Sequence, residues 1–300
     1  MTLTDHIRAA CARVAAQARR VRIVEATVEP YAVALPAGSP PAPDLGPGAT
    51  DEARAAFLLT LNAINFGSGW FPTLRKPPGL SGFRTVEAGL RAHGPWDAGE
   101  LAAIGREELA QALGQDPAHE LIGRFETALR ELGARVSGEH GGSFLALARS
   151  GDGSAEALAA TLAAWPGWHD VSPYEGADVP FYKRAQIAAA DLALAGLAPA
   201  HDLHRLTLFA DNLVPHVLRI DGVLEFEGEL VERIEAGALI EHDSPEEVEI
   251  RACALHAVEL LVAARPAPTT ATAVDYVLWH RGGEPRYKAH PRHRARTTAY

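Results

Sequence analysis

Cysteine, lysine and long apolar runs are all scarce in this sequence. Its 300 residues include two cysteines, Cys11 and Cys253, which are too few for a disulfide framework and lack the paired spacing of a zinc site. We therefore expect a reducing, cytoplasmic environment. Charges or His interrupt even the run ALHAVELLVAARP, so no stretch approaches the roughly 18 consecutive apolar residues of a membrane span. A soluble protein without a membrane partner is expected.

Positive charge is also in short supply. The formal net charge is −10 and the sequence pI is about 5.7. Direct binding of polymeric nucleic acid is not expected, because it requires clustered Lys and Arg. Hydrophobic residues make up 47% and charged residues 22% of the chain, which is typical of a folded globular protein. The oligomeric state cannot be read from the sequence.

Helix signals recur along the chain, whereas alternating strand patterns are few. We therefore predict an all-α, mostly helical fold with a few short strands at most. The clearest helix lies in SPEEVEIRACALHAVELL, where Ser244 can cap the N-terminus and Pro245 takes the first helical position. Glu247 is predicted to complete a capping box with Ser244.

Other signals set the expected helix ends and loops. Asp116 and Pro117 are predicted to open a helix that Gly133 ends. Gly and Pro residues predict irregular loops near 36–48 and 67–99. No internal repeat or change in composition divides the chain, so one domain over 1–300 is the simplest interpretation.

Several separated segments carry unusual polar or aromatic patterns. They read LNAINFGSGWF, FYKRAQIAAADL, LTLFADNLVPHVLR, VDYVLWH and HPRHRARTTAY. In content and order they resemble the characteristic segments of the queuosine salvage family. That resemblance implies a fold like the helical DNA glycosylases and hydrolysis of queuosine 5′-phosphate, a small-molecule substrate, to queuine and ribose 5-phosphate. It implies no cofactor.

Asp211, in LTLFADNL, is the candidate catalytic residue. The resemblance places it at the family's acidic nucleophile or transition-state stabiliser. Breaking a ribosyl C–N bond develops positive charge on the sugar, which a fixed carboxylate can stabilise or capture. An Asp can also cap a helix, so a purely structural role is the alternative.

The candidate contacts to the base lie in two of these segments. Phe209, beside Asp211, could stack on the planar base, although buried aromatic residues are often only core. Asp275 and Tyr276 match a second family segment, and a buried carboxylate at Asp275 would select the protonated secondary amine of queuine. His280 stands where an acidic residue is expected, and Val33–Pro36 replaces an expected His-Pro segment.

The candidate phosphate contacts are basic. Lys183, one of three lysines, and Arg184 stand at the predicted start of a helix, where the dipole and free N–H groups favour an anion. The tail supplies His293, Arg294 and Arg296, which could either line the phosphate pocket or pair with acidic groups of the core. An exposed basic turn is the alternative for Lys183.

No metal site is expected. His290 and His293 have the spacing of a ligand pair but too few partners. Two other functions remain open: a DNA or RNA base glycosylase, which would have to grip flanking phosphates, and a noncatalytic helical binding protein, which would not need Asp211.

Overall fold

Helices dominate the computed structural model, which describes residues 1–43 and 50–300. The mostly helical fold predicted from the sequence is confirmed. Within the described residues, no helix is long and apolar enough to cross a membrane. The α-helices in chain order are α1 (Leu3–Gln17), α2 (Glu25–Ala34), α3 (Asp51–Ala63), α4 (Gly82–His93), α5 (Ala98–Ala103), α6 (Arg106–Leu113), α7 (Glu120–Glu139), α8 (Phe144–Arg149), α9 (Ala155–Ala163), α10 (Lys183–Leu194), α11 (Leu213–Ile220), α12 (Gly228–Glu235), α13 (Pro245–Ala264), α14 (Ala271–Arg281) and α15 (Pro285–Lys288). The strands are β1 (Val21–Ile23), β2 (Val171–Tyr174), β3 (Ala177–Pro180) and β4 (Leu224–Phe226).

The chain divides into two compact units. The boundary between them falls within α10, and the prediction of one domain stays a prediction. The first unit comprises Met1–Pro41, Asp170–Gln186 and Asp202–Arg296, and the second comprises Ala42–His169, Ile187–His201 and Thr297–Tyr300.

Both small sheets belong to the first unit. Strands β1 and β4 pair antiparallel, with Val21 opposite Phe226. Strands β2 and β3 form a hairpin whose two turn residues, Glu175 and Gly176, have φ of 48° and 78°. Positive φ at both positions is what a type I′ turn requires, and Gly176 adopts it without steric cost.

Helix α13 forms the centre of the first unit. It contacts α1, α2, α11, α14 and both sheets, and residues from Glu247 to Leu255 are all buried. A helix that is buried all round in this way needs apolar residues on every face. The predicted cap is confirmed at Ser244, whose Oγ accepts the Glu247 N–H at 3.3 Å. The predicted capping box is wrong, because the Glu247 carboxylate accepts the N–H of Asp243 instead.

In the second unit, α7 packs against α5. The predicted helix over this region is confirmed, but it begins at Glu120 with His119 as its cap rather than at Asp116. The predicted end at Gly133 is wrong, because α7 continues to Glu139. A Cβ at Gly133 would lie 2.3 Å from the main-chain N of Ala102. Gly133 therefore permits close helix packing rather than ending the helix.

The prediction of an irregular segment over 67–99 is wrong at α4. Ser81 caps this helix by accepting the Arg84 N–H at 3.2 Å, and Gly94, with φ of 91°, ends it. The internal Gly89 did not break it, because a helix tolerates a glycine where another helix passes close, here with Ala112 O 2.9 Å from a built Cβ. Of the predicted loop at 36–48, residues 36–43 are irregular and 44–48 lie outside the described residues.

Candidate active site

Asp211 lies at the start of α11. Its Oδ1 accepts the N–H groups of Leu213 at 2.7 Å and Val214 at 3.2 Å. These are N–H groups that the helix cannot pair internally, and the positive end of the helix dipole favours the carboxylate anion. Among the described residues, none donates a hydrogen bond to Oδ2 of this half-buried side chain. One oxygen of Asp211 is thus anchored to the start of α11.

Asp275, on α14, is a buried carboxyl beside Asp211. It accepts the main-chain N–H of Phe209. Burial raises the pKa of Asp275 well above its usual range, and the nearby Asp211 anion raises it further. The Lys183 cation and the Phe209 hydrogen bond oppose that shift. A buried carboxyl whose pKa is strongly raised is typical of functional sites.

Lys183 begins α10 and lies close to both carboxyls. Its side chain is buried, and burial lowers the pKa of Lys183 to about 8, while the Asp211 anion raises it and the Arg184 cation lowers it further. The amine is therefore mostly protonated at pH 7. The main-chain N–H of Lys183 donates to Asp170 Oδ2 at 3.0 Å. The N–H of Lys183 is therefore not one of the free N–H groups expected at this helix start, because Asp170 occupies it.

The segment before Asp211 is joined to the first turn of α10 through Gln186. Its Oε1 accepts the Thr207 N–H at 2.9 Å, and its Nε2 donates to Thr207 Oγ1 at 3.0 Å. Nε2 also donates to the Phe181 carbonyl at 2.9 Å. All three residues are buried, so these bonds are protected from competition with water.

The C-terminal tail brings a further cation to Asp211. Arg292 is half-buried, and while burial lowers the pKa of its guanidinium, Asp211 raises it. The neighbouring His293 is buried, and burial lowers its pKa to about 3, so it is neutral. Its carbonyl accepts a hydrogen bond from Asn212 Nδ2 at 2.9 Å, next to Asp211. The tail is therefore fixed against the start of α11.

Tyr276 and His280 lie further round α14. Their rings are 4.1 Å apart between centroids, and His280 Nδ1 is 2.8 Å from the Tyr276 carbonyl oxygen. A Cβ built at Gly38 would lie 3.6 Å from Tyr276 Cδ1. The segment that follows Val33–Pro36 therefore reaches this tyrosine, where the sequence suggested that an expected base contact was missing.

One group of potential metal ligands lies elsewhere in the first unit. Ligand atoms of His242, Asp243 and Glu247 lie within 4.8 Å of one another. Glu247 Oε2 already accepts the Asp243 N–H at 3.3 Å and lies 3.5 Å from His242 Nδ1. The Arg251 guanidinium is 3.8 Å from Glu247 Oε1. A cation beside the central ligand disfavours a metal ion there.

Comparison with known proteins identifies the family. The family model described as "Queuosine salvage protein" matches residues 45–300. The chain belongs to the queuosine salvage protein family. Its relatives include proteins named "Queuosine 5′-phosphate N-glycosylase/hydrolase" from Sphaerobacter thermophilus, Bos taurus and Dictyostelium discoideum. They are 34%, 29% and 33% identical to it over 274, 292 and 259 residues. The alignments cover 83%, 86% and 83% of this chain and 82%, 84% and 79% of the relatives.

In this queuosine salvage protein, the structure brings Asp211, Asp275 and Lys183 together, and the main-chain N–H of Phe209 donates to Asp275. Arg184 is buried next to Lys183. The roles of these residues stay predictions.

Other predicted site residues of this family member lie apart or face elsewhere. His280 is exposed, and at five residues from Asp275 it projects from a different face of α14. Arg294 donates to the Gly237 carbonyl at 2.6 Å, which is a structural contact. Arg296 has an exposed side chain.

Arg292 of this family member was not among the site residues predicted from the sequence. The basic tail was recognised as a whole, but its histidines and later arginines were favoured over Arg292. The position of Arg292 near Asp211 could not be read from the sequence, because it depends on the hydrogen bond from Asn212 to the carbonyl of the next residue, His293. Position in the tail alone therefore gave no reason to choose Arg292.

Proposed function

We propose that this protein hydrolyses the N-glycosidic bond of queuosine 5′-phosphate, releasing queuine and ribose 5-phosphate. The observation that carries the proposal is the anchored Asp211 carboxylate among Asp275, Lys183 and Arg292. Membership of the family and the names of its relatives supply the substrate. Cys11 and Cys253 are free and buried, which fits the cytoplasmic setting expected from the sequence.

Asp211 would act on the sugar. As the bond from C1′ to the base breaks, its electrons leave with the base and positive charge develops on the ribose. The base is a 7-deazaguanine and has no N7 to protonate, so stabilisation must come mainly from the sugar side. Because two helix amides fix Oδ1, the carboxylate needs little reorganisation to meet that charge. Water then supplies hydroxide to C1′ and a proton to the base, after either a covalent or a dissociative first step.

Lys183 and Arg292 would bind the 5′-phosphate. Both cations lie beside Asp211, and an anionic phosphate brought near two carboxyls needs positive charge to offset the repulsion. Arg offers a planar fork of donors, and Lys offers a compact point charge. Arg184 and His293 would line the same region, with His293 neutral. Arg294 and Arg296 are proposed only to hold the tail in place.

Asp275 would bind the secondary amine of the queuine group. Burial raises its pKa, so an ammonium group bound beside it would restore the charged form through an ion pair. A charge-assisted hydrogen bond of this kind is about twice as strong as a neutral one. Tyr276 and Phe209 would flank the base, and His280, whose ring packs on that of Tyr276, would act only by supporting Tyr276.

The experiment that tests the function compares wild-type protein with Asp211→Asn. Purified protein is incubated with queuosine 5′-phosphate, and released queuine is measured by chromatography with mass detection. We expect release by the wild type and near-complete loss in the folded variant, because Asn keeps the shape but not the charge. A folded wild type that releases no queuine would contradict the proposal. A wild type that instead releases bases from a nucleic-acid polymer would favour a base glycosylase.

A further inference from the structure

A buried ion pair joins α13 to the segment before Asp211. Arg251 is fully buried, and its Nη1 and Nη2 donate to Oδ1 and Oδ2 of Asp170 at 2.9 and 2.8 Å. Its Nε donates to the main-chain oxygen of Ala210 at 3.1 Å. Because Ala210 directly precedes Asp211, this guanidinium fixes the backbone from which the carboxylate projects.

The other partner, Asp170, holds the residue that begins α10. Its carbonyl accepts the N–H groups of Phe181 at 2.9 Å and Tyr182 at 3.4 Å, and its Oδ2 accepts that of Lys183 at 3.0 Å. Tyr182 has a φ of 49°, a left-handed conformation that costs a non-glycine residue energy and persists only when its surroundings enforce it. By accepting these three hydrogen bonds, Asp170 holds Tyr182 in that conformation.

Arg251 also stacks on Phe181, with its Cζ 3.9 Å from the ring centroid. The guanidinium thus contacts a ring, a carboxylate and a carbonyl at once, and only the planar, forked guanidinium group can do this. A buried ion pair is weak evidence for stability, because well-packed apolar residues often serve a core equally well. The Arg251–Asp170 pair is better explained by the two segments that it connects, which are the residues before Asp211 and the start of α10.

We propose that Arg251 is a positioning residue for the hydrolysis: through Ala210 and Asp170 it sets the separation between the Asp211 carboxylate and the Lys183 amine. This inference rests on the proposed function. Without the guanidinium, the 207–211 segment would remain joined to α10 mainly through the Gln186–Thr207 hydrogen bonds. Asp211 and Lys183 would then sample separations that the reaction does not tolerate.

Two variants test the role of Arg251. In Arg251→Lys the charge remains, but a single ammonium cannot serve Asp170 and the Ala210 carbonyl with the same geometry. The double variant Arg251→Gln with Asp170→Asn removes both charges and keeps an oxygen to accept the Lys183 N–H. Because misplacing a reacting group by about 1 Å can cost about 100-fold in rate, we expect kcat to fall about 10- to 100-fold in both. KM should rise by a smaller factor than kcat falls, since the binding groups are still present although Lys183 is less well placed.

The matched control removes another ion pair of the same helix. Glu259 of α13 lies 3.0 Å from Arg8 of α1, and Arg8 also donates to the Arg205 carbonyl at 2.8 Å. Glu259→Gln removes this ion pair and keeps Arg8 and its contact with Arg205, so it is expected to lower the melting temperature slightly and to leave kcat unchanged. If Arg251→Lys, or a folded double variant, keeps kcat within about threefold of the wild type, the positioning role is overturned. If the double variant does not fold, Arg251→Lys decides the result alone.

A second readout does not depend on the substrate. Hydrogen–deuterium exchange of peptides spanning 181–186 and 207–214 should be faster in both Arg251 variants than in the wild type, and unchanged there in the control. Unchanged exchange in both segments would overturn the inference. If the wild type is inactive on queuosine 5′-phosphate, the proposed function fails, and faster exchange in these two segments would still support the placement of Asp211 and Lys183 by Arg251.

Discussion

Asp211 combines a structural contact with a charge, and two substitutions separate them. Its Oδ1 accepts the N–H groups of Leu213 and Val214 at the start of α11. Asparagine carries an amide oxygen that can accept the same hydrogen bonds, whereas alanine removes them. Asp211→Asn therefore removes the charge alone, and Asp211→Ala removes the charge and the cap.

The two variants should differ in stability but not in activity. Loss of a capping oxygen costs about 1 kcal/mol, within a range of about 0.5–2 kcal/mol. For a protein of this size, 1 kcal/mol corresponds to about 2–4 °C in melting temperature. We therefore expect Asp211→Ala to melt about 2–4 °C below Asp211→Asn. Both should lose at least about 100-fold in kcat, since removing one preorganised electrostatic group typically costs about 100- to 1,000-fold.

The assay pairs calorimetric or fluorescence melting with release of queuine from queuosine 5′-phosphate at saturating substrate. The melting temperatures report the cap, and the rates report the charge. Retention of more than about a tenth of the wild-type kcat by Asp211→Asn would refute the electrostatic role. Equal melting temperatures for the two variants would show that the hydrogen bonds at Oδ1 do not stabilise α11.

Three further outcomes are expected. Because burial lowers the pKa of Lys183 to about 8, its cation is present below that pH and lost above it, so kcat/KM for queuosine 5′-phosphate should fall as pH rises through about 8. In Lys183→Arg that decline should disappear. Lys183→Ala should lower kcat/KM far more for the phosphorylated substrate than for unphosphorylated queuosine. Equal losses of kcat/KM on both substrates would remove the phosphate assignment. Asp275→Asn should melt no lower than the wild type near pH 7, because burial disfavours the Asp275 anion and raises its pKa. Queuine binding to this variant, measured by calorimetry, should weaken about 10- to 100-fold. Unchanged affinity would exclude an ion pair between Asp275 and the amine. Gly133→Ala should lower the melting temperature, because the new Cβ would lie 2.3 Å from Ala102 N. In the control Gly138→Ala, on the same helix, the new Cβ meets nothing within 4 Å, so the melting temperature should stay the same or rise. Equal effects of the two substitutions would contradict the close packing of α5 on α7.

The sequence predicted the helices whose ends carry local signals. Ser244 and Pro245 mark the start of α13, and its apolar residues on all sides indicate burial. Where the deciding fact was a contact distant in sequence, the prediction failed. Gly133 was interpreted as a helix end, because its local signal is the same whether a helix stops there or another helix packs against it.

At the candidate site, too, residues within recognisable segments were predicted, whereas contacts between distant parts of the sequence were not. Asp211, Asp275 and Lys183 were identified through segments that resemble the family, and the structure places them together. The occupied amide of Lys183 could not be predicted, because its acceptor, Asp170, lies 13 residues away in a segment with no motif. Arg251 carried no sequence signal either, since it reads as one charge within a buried helix.

The charges around Asp211 also bear on how a substrate could be selected. The raised pKa of Asp275 favours its neutral form, which leaves Asp211 to offset Lys183 and Arg292. A 5′-phosphate adds about two negative charges at pH 7, and a protonated amine at Asp275 adds one positive charge in return. A nucleotide that lacks the amine would bring the phosphate without this compensation and would leave Asp275 buried without an ion-pair partner. The same cluster would therefore recognise both ends of queuosine 5′-phosphate, and binding at one end would favour the charge state needed at the other.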